Sequence, residues 1–354
     1  MGALPPPLHG QSNYNRAMLA HLVARGIPVR TLDTGGTGAL KLARTLRAFV
    51  MLLVQPRSHD RAYLSVPGQR GVWLFAFLAL VLRLRGIPHF VHHHSFRPIN
   101  CAPSRGMRTL IAWGGTGQKH ILLSDGMRCR FAALYLDNAT DRAVTLSNAY
   151  LFGPKPEHSP RRERPVTLGH LSVLTREKGV SYLLALFAAQ LERGRDWRLV
   201  IAGPCASQEL AAEIQAMVAA HPGRVDYRGP VSGDEKEAFF ADIDLFVLPT
   251  TLIDEAEPLV MLEAYGRGIE VMASDTGCIP DRIRTVDHLL TLDLEADVSR
   301  IEQRVEVLAG DWAAARDACA AHAQRVKAEA DAEADAFFPM LLAPWVRLQP
   351  TAGL

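Results

Sequence analysis

Short apolar runs alternate with longer helical stretches along most of this chain, and this alternation limits the possible folds more than any other feature. In the first half, Arg61–Val66, His89–His92, His120–Leu123 and Ala143–Leu146 have the composition of strands, and helical stretches such as Trp73–Arg85 separate them. Strands that alternate with helices at this interval form βαβ units, which build parallel sheets. The sequence therefore predicts an α/β protein.

A proline-rich segment interrupts the alternation near the middle of the chain. Residues 153–165 contain four prolines and several basic side chains, a composition that neither continues a helix nor pairs inside a sheet. A chain of 354 residues also exceeds what one hydrophobic core usually organises. We therefore predict two Rossmann-like, doubly wound domains that face a central cleft, 1–152 and 166–310, joined by a linker over 153–165.

The two ends of the chain carry separate expectations. Residues 311–354 are rich in alanine and predict a helical tail that packs back across the N-terminal domain. Met1–Leu4 leaves almost no first strand before the loop Pro5–Ser12, so either that strand is very short or the true start lies upstream. The basic residues of the linker are expected to form a solvated charge run, with an anionic lipid surface as the alternative.

Bulk composition excludes some classes of function. The formal net charge of +2 argues against a dedicated nucleic-acid binder, which normally carries a strongly basic face. The five cysteines include no CxxC pair, so neither a disulfide framework nor a zinc site is implied. The N-terminus lacks the pattern of a signal peptide. We predict a cytoplasmic protein, with contact to the inner face of the membrane as an additional option.

Two apolar stretches bear on that option. Val72–Leu82 is too short to cross a bilayer and is interpreted as a helix that packs on a sheet. Lys41–Leu53 combines basic residues at helical spacing with an apolar stripe, a pattern that suits a membrane-surface helix and an ordinary surface helix equally.

The segment from Thr250 to Pro280 contains the strongest chemical pattern. An apolar strand ends at Pro249, and a polar loop leads into a helix that starts near Pro258 and Leu259. Glu255 lies in this loop and Glu263 lies in the helix, eight residues further on. Free amides at a helix start suit a pyrophosphate, and carboxylates beside them suit a hydroxyl-rich ligand.

Five motifs resemble, in order, those of GT-B glycosyltransferases, in particular the large glycosyltransferase family numbered four. Glu255-Ala-Glu-Pro-Leu-Val-Met-Leu-Glu263 resembles the E-x7-E signature, and Gly169 to Gly179 resembles the "G-x-L…EKG" segment. Leu199–Gly203 resembles the middle strand, Val225–Val231 the following turn, and Ala273–Asp281 the late glycine turn. The resemblance implies a retaining transferase (EC 2.4) that moves a sugar from a nucleotide diphosphate sugar to a glycan, lipid-linked or small-molecule acceptor. It implies no metal and no cofactor beyond the donor.

The resemblance also implies a role for individual residues. Glu255 would bind hydroxyls of the donor sugar, Glu263 the ribose, and Lys178 the leaving diphosphate. The helix start, with Glu257, Pro258 and Leu259, would assist at the donor. The resemblance also implies that Gly203, Gly229 and Val231 lie around the base of the nucleotide. Ser172 stands among these donor-binding residues, where the family usually has an arginine.

In the first half, the resemblance concerns a glycine loop and a histidine run. Pro5–Ser12 resembles the acceptor-side glycine loop, in which Gly10 would let the backbone approach a ligand closely. The run at positions 92 to 94 resembles a histidine-bearing strand end, and His92 and His94 are the predicted catalytic histidines. Neighbouring side chains of a strand alternate faces, so at most two of the three histidines share one side.

Other classes of function stay in view. A protein that binds a nucleotide sugar or a partner transferase without turnover is the main alternative, because Ser172 and Cys278 depart from the family pattern. An epimerase or phosphorylase of the same architecture is a further rival. A Rossmann dehydrogenase is disfavoured because no GxGxxG follows an early strand.

Overall fold

The computed structural model describes residues 1–5, 10–36, 38–54, 61–151 and 164–342. The chain divides into two compact units, which are described one at a time. Unit 1 comprises Met1–Leu151 together with Ala330–Leu354, and unit 2 comprises Phe152–Glu329. Most of the predicted linker, residues 153–165, lies outside the described residues, as does Trp345 near the end of the tail.

Unit 1 is built on a parallel sheet with the strand order β1-β2-β3-β4. Its helices and strands are α1 (Gly10–Ala24), α2 (Gly38–Val54), β1 (Ala62–Val66), α3 (Val72–Leu84), β2 (His89–His93), α4 (Arg97–Asn100), α5 (Arg105–Gly114), β3 (Gln118–Leu122), α6 (Asp125–Tyr135) and β4 (Ala143–Thr145). Ser104 and Ser124 cap the starts of α5 and α6, where each side chain accepts a hydrogen bond from a backbone amide three residues on.

The first residues of the chain extend this sheet only briefly. Gly2 forms an isolated parallel bridge with Asp33, and the amide of Ser65 donates to the carbonyl of Met1 at 2.9 Å. A cavity of about 740 Å³ lies alongside, lined by residues 27–32 and by the start of β1. Within the described residues the expected first strand is therefore no longer than this short pairing.

Unit 2 contains a six-stranded parallel sheet with the order β10-β9-β8-β5-β6-β7. Its helices and strands are β5 (Thr167–Leu171), α7 (Val180–Glu192), β6 (Arg198–Ala202), α8 (Gln208–Ala220), β7 (Val225–Tyr227), α9 (Gly233–Asp242), β8 (Leu245–Leu248), α10 (Leu259–Gly266), β9 (Glu270–Ser274), α11 (Ile279–Arg282), β10 (Leu289–Leu290) and α12 (Leu294–Gly310). Helix α13 (Trp312–Leu342) belongs to both units.

The strand order of unit 2 reverses at one place. The chain builds outward from β5 to β6 and β7, and then returns to the other side of β5 with β8, which pairs with it through Leu168 and Leu245. In doubly wound sheets, ligands bind beyond the carboxyl ends of the two strands at such a reversal. The loops after β5 and β8 are therefore the first place to look for a site.

Each face of this sheet is covered by a separate apolar cluster. One cluster contains the fully buried Phe187 of α7 and Ile301 of α12, and the other contains Phe239 of α9 and Met261 of α10. Because both faces are covered, the strands are mostly apolar, as is typical of parallel sheets, although β5 contains the buried His170 and β9 the buried Glu270.

Some expectations need correction. Arg164 was expected to lie in a solvated charge run, but its guanidinium is ion-paired with the buried Asp244, with 3.0 Å between Nη2 and Oδ1. The helices Arg105–Gly114 and Leu294–Gly310 were not predicted. The stretch Val72–Leu82 forms most of α3 and packs on the sheet as expected through Phe75 and Leu78.

Candidate functional site

The strongest cluster of predicted residues in unit 2 lies at the reversal of the strand order. Lys178 follows β5 and Glu255 follows β8, and the Nζ of Lys178 donates to Oε2 of Glu255. Both side chains are largely buried, at 17% and 9% exposure. Residues that are 77 positions apart therefore form a direct ion pair at the sheet edge where a ligand is expected.

Hydrogen bonds donated by three threonines hold the loop of Glu255 in place. The buried Thr250 donates from Oγ1 toward Oε2 of Glu255 at 3.3 Å, and the amide of Thr251 donates to the carbonyl of Glu177 at 2.7 Å. Thr276, after β9, donates to the carbonyl of Thr250 at 3.0 Å. Sequence reasoning missed these threonines, although Thr250 stands directly after the Pro249 that ends the strand.

Two glycines allow the loops to approach this closely. A Cβ at Gly179 would lie 2.0 Å from the carbonyl oxygen of Pro249, and one at Gly277 would lie 2.4 Å from that of Glu255. Both glycines have positive φ values, 79° and 63°. A larger residue at position 179 would separate the loops that carry Lys178 and Glu255, and one at position 277 would push the turn after β9 away from the loop of Glu255.

Ser172, Gly203 and Gly229 meet at the ends of β5, β6 and β7. The amide of Gly203 donates to the carbonyl of Gly229 at 2.7 Å, and a Cβ at Gly203 would lie 1.7 Å from the carbonyl oxygen of Ser172. Val231 lies half-buried after this turn and packs against the apolar cluster around Phe239. Backbone therefore forms much of the surface where the base is predicted.

His170 is a residue that sequence reasoning missed. Its Nδ1 lies 2.9 Å from the carbonyl of Val247, so Nδ1 carries the proton that donates there. Burial lowers the pKa of His170 to about 4, which keeps the ring neutral and leaves Nε2 as an acceptor. Ser172 Oγ lies 2.8 Å from Nε2 and donates to it. The side chain at the family's arginine position is thus held by a buried histidine.

The helix that follows Glu255 begins as predicted. Pro258 occupies the N-cap position of α10 with extended backbone, and the helix runs from Leu259. Glu263 lies in α10 and forms an ion pair with Lys236 of α9, with 2.6 Å between Nζ and Oε1. Nothing in the E-x7-E spacing pointed to Lys236.

Glu257 has a different environment from Glu255. Its carboxylate is fully buried and accepts a hydrogen bond from Nε of Arg282 at 2.6 Å. A buried carboxylate needs such a partner, and removing either member of the pair would leave an uncompensated charge. In this structure Glu257 joins the loop after β8 to α11; its predicted contact with a donor stays a prediction.

In unit 1, the histidines at the end of β2 are divided between the two sheet faces. His92 and His94 share one face, with ring centroids 4.1 Å apart, and both lie against Tyr14 of α1. His93 points to the other face, where its Nε2 lies 3.0 Å from Nδ1 of His120. The expected alternation is confirmed.

The environment of His92 and His94 keeps both rings neutral. Burial lowers the pKa of His94 to about 3 and that of His92 well below its ordinary value. Tyr63 Oη is hydrogen-bonded to Nδ1 of His92. Within the described part of the chain, Nε2 of each ring is buried without a hydrogen-bond partner. These nitrogens can bond a ligand but carry no charge.

Gly10 begins helix α1 and is exposed. No described atom lies within 4 Å of the position that a Cβ would take, so the chain itself does not require glycine there. Residues 6–9 of the predicted glycine loop Pro5–Ser12 lie outside the described residues. The role of Gly10 stays a prediction.

Among the residues that the structure describes, no group of three or more His, Cys, Asp or Glu side chains could hold a metal ion. Metal independence, like the absence of a cofactor, stays a prediction. Nor does any helix in the described ranges combine the length and apolarity needed to cross a bilayer.

Comparison with known families and curated proteins gives one match. Residues 164–311 match the family model described as glycosyl transferases group 1. This range contains the whole sheet of unit 2 and the three predicted residues Lys178, Glu255 and Glu263. No curated protein matches the chain in sequence.

Solved structures match nearly the whole chain. Sucrose-phosphate synthase from Thermosynechococcus elongatus is 18% identical with a TM-score of 0.69, over 95% of this chain and 94% of that one. HepE of Anabaena in complex with UDP is 15% identical with a TM-score of 0.64, over 92% and 89%. The lipopolysaccharide outer core galactosyltransferase WaaB is 14% identical with a TM-score of 0.64, over 92% and 93%. These likenesses confirm the predicted GT-B fold.

Proposed function

Because residues 164–311 match the model of the glycosyl transferases group 1 and the chain has the GT-B fold, we propose that it is a retaining glycosyltransferase using a nucleotide diphosphate sugar. A glycan, a lipid-linked sugar or a small molecule would be the acceptor. A related structure contains UDP-glucose, which makes UDP-sugars the first donors to test.

The observation that carries the proposal is the ion pair between Lys178 and Glu255. It brings a cation and a carboxylate to the carboxyl ends of β5 and β8, where the strand order reverses. A diphosphate needs the cation, and sugar hydroxyls need the carboxylate as an acceptor. Either residue alone on a protein surface would suggest little; the pair at this position suits both parts of one donor.

The proposed reaction begins when the donor binds and its diphosphate replaces Glu255 as the ion-pair partner of Lys178. The freed carboxylate of Glu255 then accepts hydrogen bonds from hydroxyls of the sugar. The bond between the anomeric carbon and the diphosphate oxygen then breaks, and its electron pair stays on the diphosphate. Lys178 stabilises that developing charge, helped by the amides at the start of α10. The acceptor oxygen bonds to the same carbon on the same face, and its proton passes to the departing diphosphate oxygen.

The remaining predicted residues would bind the ribose, the base and the sugar of the donor. Glu263 would bind the ribose after exchanging its contact with Lys236. The backbone around Gly203, Gly229 and Val231 would flank the base. His92 and His94 would contact the sugar through their unpartnered Nε2 atoms as neutral hydrogen-bonding groups, since burial keeps both uncharged.

A binding protein without turnover is the second candidate, and Ser172 is the observation that favours it. Where the family usually has an arginine, this chain has a short hydroxyl held by His170. The diphosphate would then have one cation fewer. Lys178 would have to stabilise the leaving group without that second guanidinium.

The direct experiment measures release of nucleotide diphosphate from a panel of nucleotide sugars with candidate acceptors. Lys178→Ala and Glu255→Ala should each reduce release by about a hundredfold or more, the usual loss when a charge-stabilising group is removed. Lys119→Ala and Glu306→Ala are matched controls, because Lys119 lies in β3 of unit 1 and Glu306 in α12, outside the loops after β5 and β8, and neither has a proposed role.

The alternatives separate clearly in this assay. Binding of a nucleotide sugar without release for any acceptor would favour the binding protein. Release that survives Lys178→Ala and Glu255→Ala unchanged would show that the chemistry occurs elsewhere in the chain.

A further inference from the structure

Charge is distributed very unevenly along this chain. Residues 1–124 contain fifteen Lys and Arg but only two acidic residues, Asp33 and Asp60, and no glutamate. Residues 125–354 contain twenty-four Lys and Arg against thirty-five Asp and Glu. The net charge of +2 therefore conceals a strongly basic first third and an acidic remainder.

Helix α2 combines this basic character with an exposed apolar face. Leu42, Leu46, Val50 and Leu53 are spaced by three or four residues, so they form one ridge, called here the leucine ridge. All four are exposed, Leu46 by 59%. The opposite side of the helix is buried through Thr45, Ala48 and Leu52. Single exposed apolar side chains are ordinary, but a continuous ridge of four indicates an interaction surface.

Helix α3 lies beside α2 and extends this surface. Lys41 near the start of α2 lies against Gly71 before α3, and Arg85 after α3 donates to the carbonyl of Leu53 at 2.5 Å near the end of α2. The two helices thus run side by side. The outer side of α3 exposes Trp73 and Phe77, the latter by 49%.

The charged residues within α2 and α3 are all basic. Helix α2 contains Lys41, Arg44 and Arg47 and no acidic residue, and α3 contains Arg83 and no acidic residue. Arg44 is paired with Asp33 at 2.5 Å, whereas Arg47 is exposed. An apolar ridge flanked by cations, with aromatic side chains beside it, matches the chemistry of the interface of an anionic bilayer.

We propose that the outer surface of α2 and α3 docks unit 1 onto a bilayer that contains anionic lipids. The leucine ridge, Trp73 and Phe77 would enter the interface between headgroups and acyl chains, while Lys41 and Arg47 would contact lipid phosphates. The contact proposed here is peripheral. This docking does not depend on the proposed transferase activity.

Charge complementarity selects this occupant over two others. An isologous contact between two copies would set the same cations against each other, which like charges oppose. A nucleic acid would contact the cations but would leave the leucine ridge in water. An anionic membrane satisfies both parts of the surface.

The test is co-sedimentation of the full chain with vesicles of phosphatidylcholine alone and of phosphatidylcholine with phosphatidylglycerol. The partition coefficient should be about tenfold or more higher for the anionic vesicles and should fall as salt is raised. The double variant Leu42→Ser/Leu46→Ser should reduce it about tenfold. The matched control is Val286→Ser/Val307→Ser, which changes two exposed valines of unit 2 and should leave binding unchanged.

Two charge-reversal variants isolate the electrostatic contribution to membrane binding. Arg47→Glu should weaken binding to anionic vesicles several-fold, whereas Arg16→Glu, on the exposed side of α1, should change it much less. In the unaltered chain, anionic vesicles should slow hydrogen exchange within residues 38–54 and 72–84. This measurement needs no variant.

Three outcomes would overturn the proposal. Equal binding to both kinds of vesicle, or no binding to either, would remove the anionic membrane as the partner. Unchanged binding of Leu42→Ser/Leu46→Ser would remove the leucine ridge. Association of the chain without lipid, lost in that variant, would assign the ridge to a second copy.

Discussion

At the residue scale, the proposed site gives Lys178 and Glu255 opposite effects on an incoming diphosphate. Lys178 would attract it, and Glu255 would compete for the same ammonium group through their ion pair. The roles of the two residues can therefore be distinguished by measuring UDP binding as well as turnover. Residue type and order predicted both positions, but the contact between them could not be predicted, because it depends on how β8 returns beside β5.

Glu255→Gln should make this opposition visible. Because the amide no longer holds Lys178 as an ion pair, UDP should bind about tenfold more tightly, while release of nucleotide diphosphate from a donor sugar falls. Lys178→Ala should weaken UDP binding instead. Calorimetric titration measures both. Weaker UDP binding by Glu255→Gln would contradict the proposed competition.

A second prediction for a single residue concerns Glu270 and the stability of the fold. Glu270 is 1% exposed and lies against Arg284 and Arg304, with Oε2 at 2.8 and 2.5 Å from their Nη2 atoms. Burial alone raises the pKa of Glu270, but the close contacts with His288 and Arg284 and the charge of Arg304 outweigh it and lower the pKa to about 2. The ionised carboxylate therefore stabilises the fold.

Glu270→Gln should lower the free energy of unfolding by about 3 to 5 kcal/mol at neutral pH, since it leaves buried arginines without their partner. The folded pKa is depressed, so the stabilisation is complete above the ordinary pKa of 4.5 and is lost as pH falls toward about 2. Urea denaturation at descending pH should show the difference shrinking. Glu306→Gln, an exposed control, should change stability by less than about 0.5 kcal/mol. A difference independent of pH would contradict this account.

At the scale of elements, the sequence predicted strands and helices of unit 2 closely. Strand β6 agrees with the predicted middle strand Leu199–Gly203 to within one residue, and β8 ends directly before Pro249 as predicted, because turn residues end these apolar runs sharply. Helix α1 begins at Gly10, within the segment Pro5–Ser12 that was predicted as a loop, because polar residues conceal its first turn. Helix α12 was missed, although Val298, Ile301, Val305 and Leu308 have the three- and four-residue spacing of a buried helix face.

The turn after β6 supports a prediction at this scale. Gly203→Ala should lower the free energy of unfolding by about 3 kcal/mol or more, because φ is 122° and the new Cβ would meet the Ser172 carbonyl at 1.7 Å. Gly223→Ala is the matched control: φ is 77°, but nothing lies within 4 Å, so about 1 kcal/mol should be lost. Equal losses in chemical denaturation would mean that the loops do not pack as described.

At the scale of the whole molecule, the sequence predicted the GT-B class, and the comparisons confirm it. The uneven distribution of charge was not predicted, because the net charge of +2 averages over both parts of the chain. The exposure of α2 could not be predicted from its pattern alone, since the same spacing suits a helix buried on either side.

A ligand that binds one unit should raise the stability of the molecule by mass action. UDP at about a hundred times its dissociation constant should contribute about 2.7 kcal/mol and raise the unfolding temperature in calorimetry. Uridine at the same concentration should raise it less, because it lacks the diphosphate that Lys178 is proposed to bind. Equal shifts from UDP and uridine would contradict a diphosphate site.

The most direct measurement of the central claim is the release of nucleotide diphosphate from a donor sugar in the presence of an acceptor. We expect release by the unaltered chain, a loss of about a hundredfold or more in Lys178→Ala and in Glu255→Ala, and full activity in Lys119→Ala. Full activity in both site variants would contradict it.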